Sequence, residues 1–214
     1  MASFDASKQL DMYRFFLVAF DAAPGVTYWG QLKAAVESGL DTKAIVNIFT
    51  TKQQFLSVYP NDLSGAAFSK QLIDAVIKNS SSQEAKAQAI KDVQSALEAG
   101  MSRGDVLYTV FGNLAARELD PGKAGYNAAD PYLGVAKQFA NKVAVAKYYT
   151  ETMQGDSTDL GILRDVVARV DQFSNVTDSG TVQNLIRGFD AAKQLEMYRF
   201  FLVAFDAAPG VTYW

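Results

Sequence analysis

Two short stretches of this sequence have residue types and spacings that suggest binding chemistry. Arg103-Gly104-Asp105 is the tripeptide that integrins read, but it lies where a helix is predicted to begin, and an acid there favours the helix dipole. The loop that holds Asp120 and Asp130 is rich in oxygen ligands, but its spacing departs from the helix–loop–helix calcium pattern. We interpret both stretches as structural. We expect no cofactor, and the alternative is that the chain binds Ca²⁺.

A third group consists of aromatic and basic side chains that could hold a sugar or a phosphate-bearing polysaccharide. The lysines at 137, 142 and 147 lie five residues apart, so they do not share one narrow helical face, and we expect them to be solvated. Tyrosine at helical spacing usually packs in a core or an interface. Tyrosine rings can also stack on sugars, so a carbohydrate-binding adhesin module is the alternative function. The tyrosines that would carry it are Tyr108, Tyr126, Tyr132, Tyr148 and Tyr149.

The composition excludes several classes of enzyme and partner. The 214 residues include no cysteine and no histidine, which removes disulfides, thiolate metal sites, cysteine nucleophiles and the commonest general base. The net charge of −3 without a large basic block argues against nucleic acid as a partner. No segment is long enough for a membrane span. We therefore expect a protein that is not an enzyme.

The chain is organised around a duplicated stretch of 26 residues. Residues 4–29 read FDASKQLDMYRFFLVAFDAAPGVTYW, and residues 189–214 read FDAAKQLEMYRFFLVAFDAAPGVTYW. The copies differ at two positions, where Ser7 corresponds to Ala192 and Asp11 to Glu196. We interpret 1–188 as one helical repeat unit and 189–214 as the start of a second. The two mild differences favour natural tandem units over an engineered duplication.

Each copy is predicted to be a helix that ends at a Pro-Gly turn. Its apolar residues recur at steps of three and four, which places them on one helical face that needs a partner. The second copy is expected either to extend the same domain or to dock on a neighbouring molecule. The predicted interface residues are Tyr13, Leu17, Phe20 and Trp29 in the first copy and Tyr198, Leu202, Phe205 and Trp214 in the second.

The remaining apolar patterns also have the helical period, and none alternates convincingly at period two. The sequence therefore predicts an all-α fold, an irregular bundle of about nine to eleven helices. A longest helix is predicted from Asp130-Pro131 to about Met153. The other predicted helix starts are Asp41 or Thr42, Thr50 or Thr51, Ser64, Ser82, Ser102 and Thr158.

Four stretches resemble a helical domain of unknown function found in RTX-type secreted bacterial proteins. They are FTTKQQFLSVY at 49–59, LEAGMSRGDVL at 97–107, GVTYW at 25–29 and ANKVA at 140–144. The resemblance covers roughly residues 8–175. Two positions depart from the family pattern, because Phe20 runs directly into Asp21 without the usual Phe-Gly-Arg, and Asn113 stands where arginine is usual.

The resemblance implies a location and a role. Such domains occur at the N-terminus of surface-layer proteins and large adhesins that type I secretion exports. Surface-layer members attach to lipopolysaccharide through this region and assemble into calcium-dependent lattices. The leading hypothesis is thus an extracellular structural module of the bacterial cell surface that self-associates, as a homo-oligomer or with neighbouring repeat units. Lipopolysaccharide or another surface glycan is a further expected partner.

Overall fold

Helices make up the regular structure of the described part of the chain, which in this computed structural model comprises residues 3–186, Arg199, Leu202 and Val203. The predicted all-α class and helix number are confirmed. No helix in this part is both long and apolar enough to cross a membrane. The helices are α1 (Ala6–Phe20), α2 (Val26–Glu37), α3 (Thr42–Phe49), α4 (Gln53–Leu56), α5 (Gly65–Ile77), α6 (Gln83–Glu98), α7 (Arg103–Ala115), α8 (Leu133–Lys147), a π-helix (Tyr148–Thr152) and α9 (Leu160–Asp165), and residues 179–186 are also helical.

Hydroxyl and carboxylate side chains set the start of most helices, as their positions in the sequence predict. The caps at Asp41, Ser64, Ser82 and Ser102 are confirmed, because each side chain accepts a hydrogen bond from the backbone N–H three residues later. Asp5 caps α1 in the same way, at 3.0 Å from the Lys8 nitrogen. These bonds satisfy backbone donors that a helix start leaves without a partner.

Four predictions about the helices are wrong, three of them in a helix start by two residues or fewer and one in helix type. Helix α8 begins at Leu133, because the Asp130 carboxylate accepts from the Tyr132 N–H inside a tight turn before the helix. Helix α4 begins at Gln53 after the two threonines. The longest predicted helix changes to a π-helix after Lys147, and α9 is capped by Asp159 rather than Thr158.

Helix α1 lies at the centre of the bundle. It packs against α2, α3, α5, α7 and α8, and every residue from Phe15 to Phe20 is buried. A helix that is apolar around most of its circumference is stable only when neighbours surround it. The first copy of the duplicated stretch therefore supplies the middle of the core.

Candidate functional site

The surroundings of residues 4–29 form the best-defined site in the molecule, and we call these surroundings the α1 site. Aromatic rings outside the segment line this site: the Phe20 ring lies 6.3 Å from that of Phe49 and 6.2 Å from that of Phe55. Within the segment itself, Trp29 stacks on Tyr13 with ring centroids 4.1 Å apart. Ring contacts of this kind favour particular orientations, so they help to fix how the segment lies in the site.

The turn after α1 is fixed by backbone contacts to the segment before and within α9. The Ala23 N–H donates to the Leu163 carbonyl at 3.0 Å, and the Val26 N–H donates to the Gly155 carbonyl at 2.8 Å. A side chain at Gly25 would place its Cβ 2.4 Å from the carbonyl oxygen of Ser157, so glycine is required there. The α1 site thus recognises the turn as well as the helix.

Asp21 ends α1 and joins two lysines from other helices. Its Oδ1 accepts from Lys142 Nζ at 2.5 Å, and its Oδ2 lies 2.6 Å from Lys78 Nζ. The Lys142 side chain is 5% exposed, and its burial lowers the pKa of the ammonium group, while Asp21 opposes part of that shift. The expectation that Lys142 is solvated is therefore wrong. No sequence signal links these residues, which lie 121 positions apart.

The predicted interface residues of the first copy lie inside the chain's own core. Tyr13, Leu17 and Phe20 are buried, and Trp29 is half-buried at the edge of the same cluster. In this chain they hold α1 in place, so the face predicted to need a partner finds it within the same molecule.

The second copy differs from the first in its exposure where both are described. Leu17 is 3% exposed and Val18 is 1% exposed, but the corresponding Leu202 and Val203 are 53% and 89% exposed. Identical side chains in an identical local sequence are therefore covered in one copy and open in the other. The other predicted interface residues of the second copy, Tyr198, Phe205 and Trp214, lie outside the described residues.

The Arg-Gly-Asp stretch is fully engaged within the molecule. Arg103 donates to the carbonyls of Tyr59, Pro60 and Leu63 at distances between 2.6 and 3.0 Å. The Asp105 carboxylate accepts from Asn47 at 3.0 Å, and this hydrogen bond, with the nearby Lys43, lowers the pKa of the carboxyl group. The arginine and the carboxylate thus join α7 to neighbouring elements instead of projecting together towards a receptor.

The acidic loop holds its carboxylates in local contacts. Asp120 accepts from the Gly122 N–H at 2.9 Å, and Asp130 pairs with Arg117 at 2.8 Å. Within the described residues, no group of three or more acidic side chains is placed to hold a metal ion. These carboxylates shape the loop, and the Ca²⁺ alternative stays a prediction.

The five tyrosines that carry the sugar-binding alternative differ in their exposure. Tyr149 is buried and Tyr108 is exposed, while Tyr126, Tyr132 and Tyr148 are intermediate. The Tyr132 hydroxyl donates to the Ala85 carbonyl at 2.9 Å, which joins α6 to the start of α8. The buried Tyr149 and the hydrogen-bonded Tyr132 therefore serve packing.

Comparisons with known proteins found that no protein-family model, no curated protein and no solved structure matches this chain. The family resemblance of the four sequence stretches stays a prediction for that reason. The features that bear on function are the α1 site and the exposed Leu202 and Val203 of the second copy.

Proposed function

We propose that this chain is a non-enzymatic structural module of a bacterial cell surface that associates with other copies of itself. One observation carries the proposal: Leu202 and Val203 are exposed, although the same residues in the first copy are buried in the core. Apolar side chains of a repeated segment that stay open to solvent provide a surface for association.

The free energy of burying these side chains makes association favourable. Removing apolar surface from water stabilises by roughly 25 cal/mol per Å², or about 1.5–3 kcal/mol for each fully buried valine or leucine. Clustered exposed apolar residues are typical of surfaces that bind another protein. The duplicated sequence makes a second copy of this chain the partner with a matching surface.

The location and the anchor follow from the family resemblance. We place the module outside the cell and propose that lipopolysaccharide or a related surface glycan holds the assembly to the membrane surface. Neither role requires a catalytic group in this chain.

Size-exclusion chromatography with light scattering tests self-association. The full chain and a chain that ends at residue 188 are compared across a wide range of concentrations. We expect the mass of the full chain to rise above that of one copy as concentration increases, because the apolar helix then finds partners. The shortened chain is expected to remain a monomer and to keep the helices of residues 3–186.

Two outcomes contradict the proposal. One is a full chain that stays a monomer at every concentration. The other is an association that persists unchanged after residues 189–214 are removed, because the duplicated helix would then not be the contact. Circular dichroism of both chains serves as the control that the body of the fold is intact.

A further inference from the structure

We infer that residues 189–214 of one molecule bind in the α1 site of a second copy of this chain, in place of its residues 4–29. The inference rests on the proposed self-association and names the surface that receives the second copy. It treats the α1 site as a binding site with two competing occupants of nearly identical sequence.

The first argument is that every buried position of the first copy is kept in the second. The apolar residues of 4–29 that fill the core include the helix interior and Tyr28. The residues at the corresponding positions are identical: Met197, Tyr198, Phe200, Phe201, Leu202, Val203, Ala204, Phe205, Ala207, Ala208 and Tyr213. Tight packing tolerates no change of shape at such positions, so the second copy fits without any rearrangement of the site.

The second argument concerns the two positions that differ. Ser7 is exposed and Asp11 is half-buried, so neither lies in the tightly packed interior. Asp11 pairs with Arg14 at 3.0 Å, and Glu196 stands at the same spacing before Arg199. Alanine and glutamate both have higher helix propensity than the residues they replace. The second copy is therefore at least as good an occupant as the first.

The third argument is that the second copy also carries the polar and backbone features that the α1 site requires. Asp206 corresponds to Asp21, whose carboxylate the site pairs with Lys142 and Lys78. Gly210 corresponds to Gly25, the position where the Ser157 carbonyl leaves no room for a side chain. An unrelated apolar helix would lack both features, so the match is specific to this site.

The connection to the second copy is short, which restricts insertion into the site of the same molecule. Arg187 and Gly188 alone join the buried Ile186 to Phe189, a path of about 10 Å when fully extended. Self-insertion therefore requires the start of the α1 site to lie within that short reach of Ile186. Insertion into another molecule has no such limit, and exchange of identical elements between copies is a low-cost route to assembly.

Three variants of the full chain test the inference. Phe16→Asp places a charge among the rings of the α1 site and disables the first copy as an occupant. Phe201→Asp makes the same change in the second copy, and the third variant carries both. We expect Phe201→Asp to have the same thermal transition as the unchanged chain. Phe16→Asp is expected to keep a cooperative thermal transition, and the double variant is expected to lose it.

Light scattering of Phe16→Asp identifies the source of the inserted segment. A folded species with the mass of two or more chains supports insertion into a second copy. A folded monomer overturns the inference, because the segment has then entered its own site. Loss of folding to the same extent as in the double variant also overturns it, and so does loss of folding in Phe201→Asp. The proposed self-association is tested independently, by light scattering of the unchanged chain.

A crosslinking experiment does not depend on a destabilised variant. The sequence lacks cysteine, so Val203→Cys in one preparation and Val76→Cys in another supply one thiol each. Val76 lines the same small cavity as Val18, the counterpart of Val203. A short bismaleimide is expected to join the two variants into a heterodimer. In the control, Phe173→Cys at an exposed position takes the place of Val76→Cys. Equal yields of crosslinked heterodimer with the two variants contradict the inference.

Discussion

Asp21 shows how one carboxylate supports several parts of the core. Its backbone is left-handed, with φ of 51°, and its N–H donates to the Leu17 carbonyl at 2.8 Å, which closes the end of α1. Its side chain meanwhile balances the buried ammonium group of Lys142 and the charge of Lys78. A buried cation without such a partner is strongly destabilising.

In the chain that ends at residue 188, where no second copy can replace the first, Asp21→Asn is expected to lower the free energy of unfolding by about 3 kcal/mol at neutral pH, because Lys142 loses its compensating charge. Asparagine tolerates a positive φ, so the backbone effect is small. The pKa of Lys142, already lowered by burial, falls further below its ordinary 10.5 in this variant. The unfolded chain then binds more protons between the two pKa values, so the stability of the variant rises with pH across that window.

Urea unfolding of Asp21→Asn at several pH values below 10.5 measures this effect. Asp206→Asn in the full chain is the matched control, and we expect it to leave the unfolding midpoint of the full chain unchanged. A loss of stability in Asp21→Asn that does not shrink as the pH rises would show that the charge of Lys142 is not its cause.

At the scale of elements, the contact between α3 and α7 depends on a glycine in the Arg-Gly-Asp stretch. A Cβ built on Gly104 would lie 2.8 Å from the Cα of Asn47, and Asn47 itself bonds to Ser102 and Asp105. The two helices thus approach each other closely where α7 begins, and the tripeptide is needed for packing.

Gly104→Ala is expected to lower the free energy of unfolding by about 1–3 kcal/mol, because the backbones of α3 and α7 must move apart. Gly112→Ala lies on the same helix, where a Cβ meets nothing within 4 Å, and is expected to stabilise by up to about 1 kcal/mol. Thermal unfolding of both variants checks the pair. Equal effects of the same sign would contradict the close helix contact.

The sequence predicts the elements of this fold better than their partners. Capping residues such as Ser82 and Ser102 act through a hydrogen bond three residues away, so a local pattern suffices to place them. The pairing of Asp21 with Lys142 depends on how α1 meets α8, which no local pattern contains. The duplication predicted a helix that needs a partner, but the exposure of Leu202 becomes informative only beside the burial of Leu17.

At the scale of the whole molecule, the chain carries two copies of a segment whose surroundings the structure shows once. The first copy is covered by five other helices, and the described residues Leu202 and Val203 of the second remain open to solvent. Whichever copy occupies an α1 site, the other apolar segment stays outside that site. We expect this segment to join copies of the chain.

Val203→Lys is expected to weaken self-association at least about tenfold, because each 1.4 kcal/mol is a factor of ten and burying a valine contributes at least that much. Its melting temperature is expected to stay unchanged, since Val203 is 89% exposed. Phe173→Lys is the matched control, because Phe173 is 83% exposed but lies outside the duplicated segments. Light scattering of both variants over a concentration series separates the two surfaces. If Phe173→Lys dissociates the assembly and Val203→Lys does not, the contact lies on the body of the fold, and the duplicated helix has no part in joining the molecules.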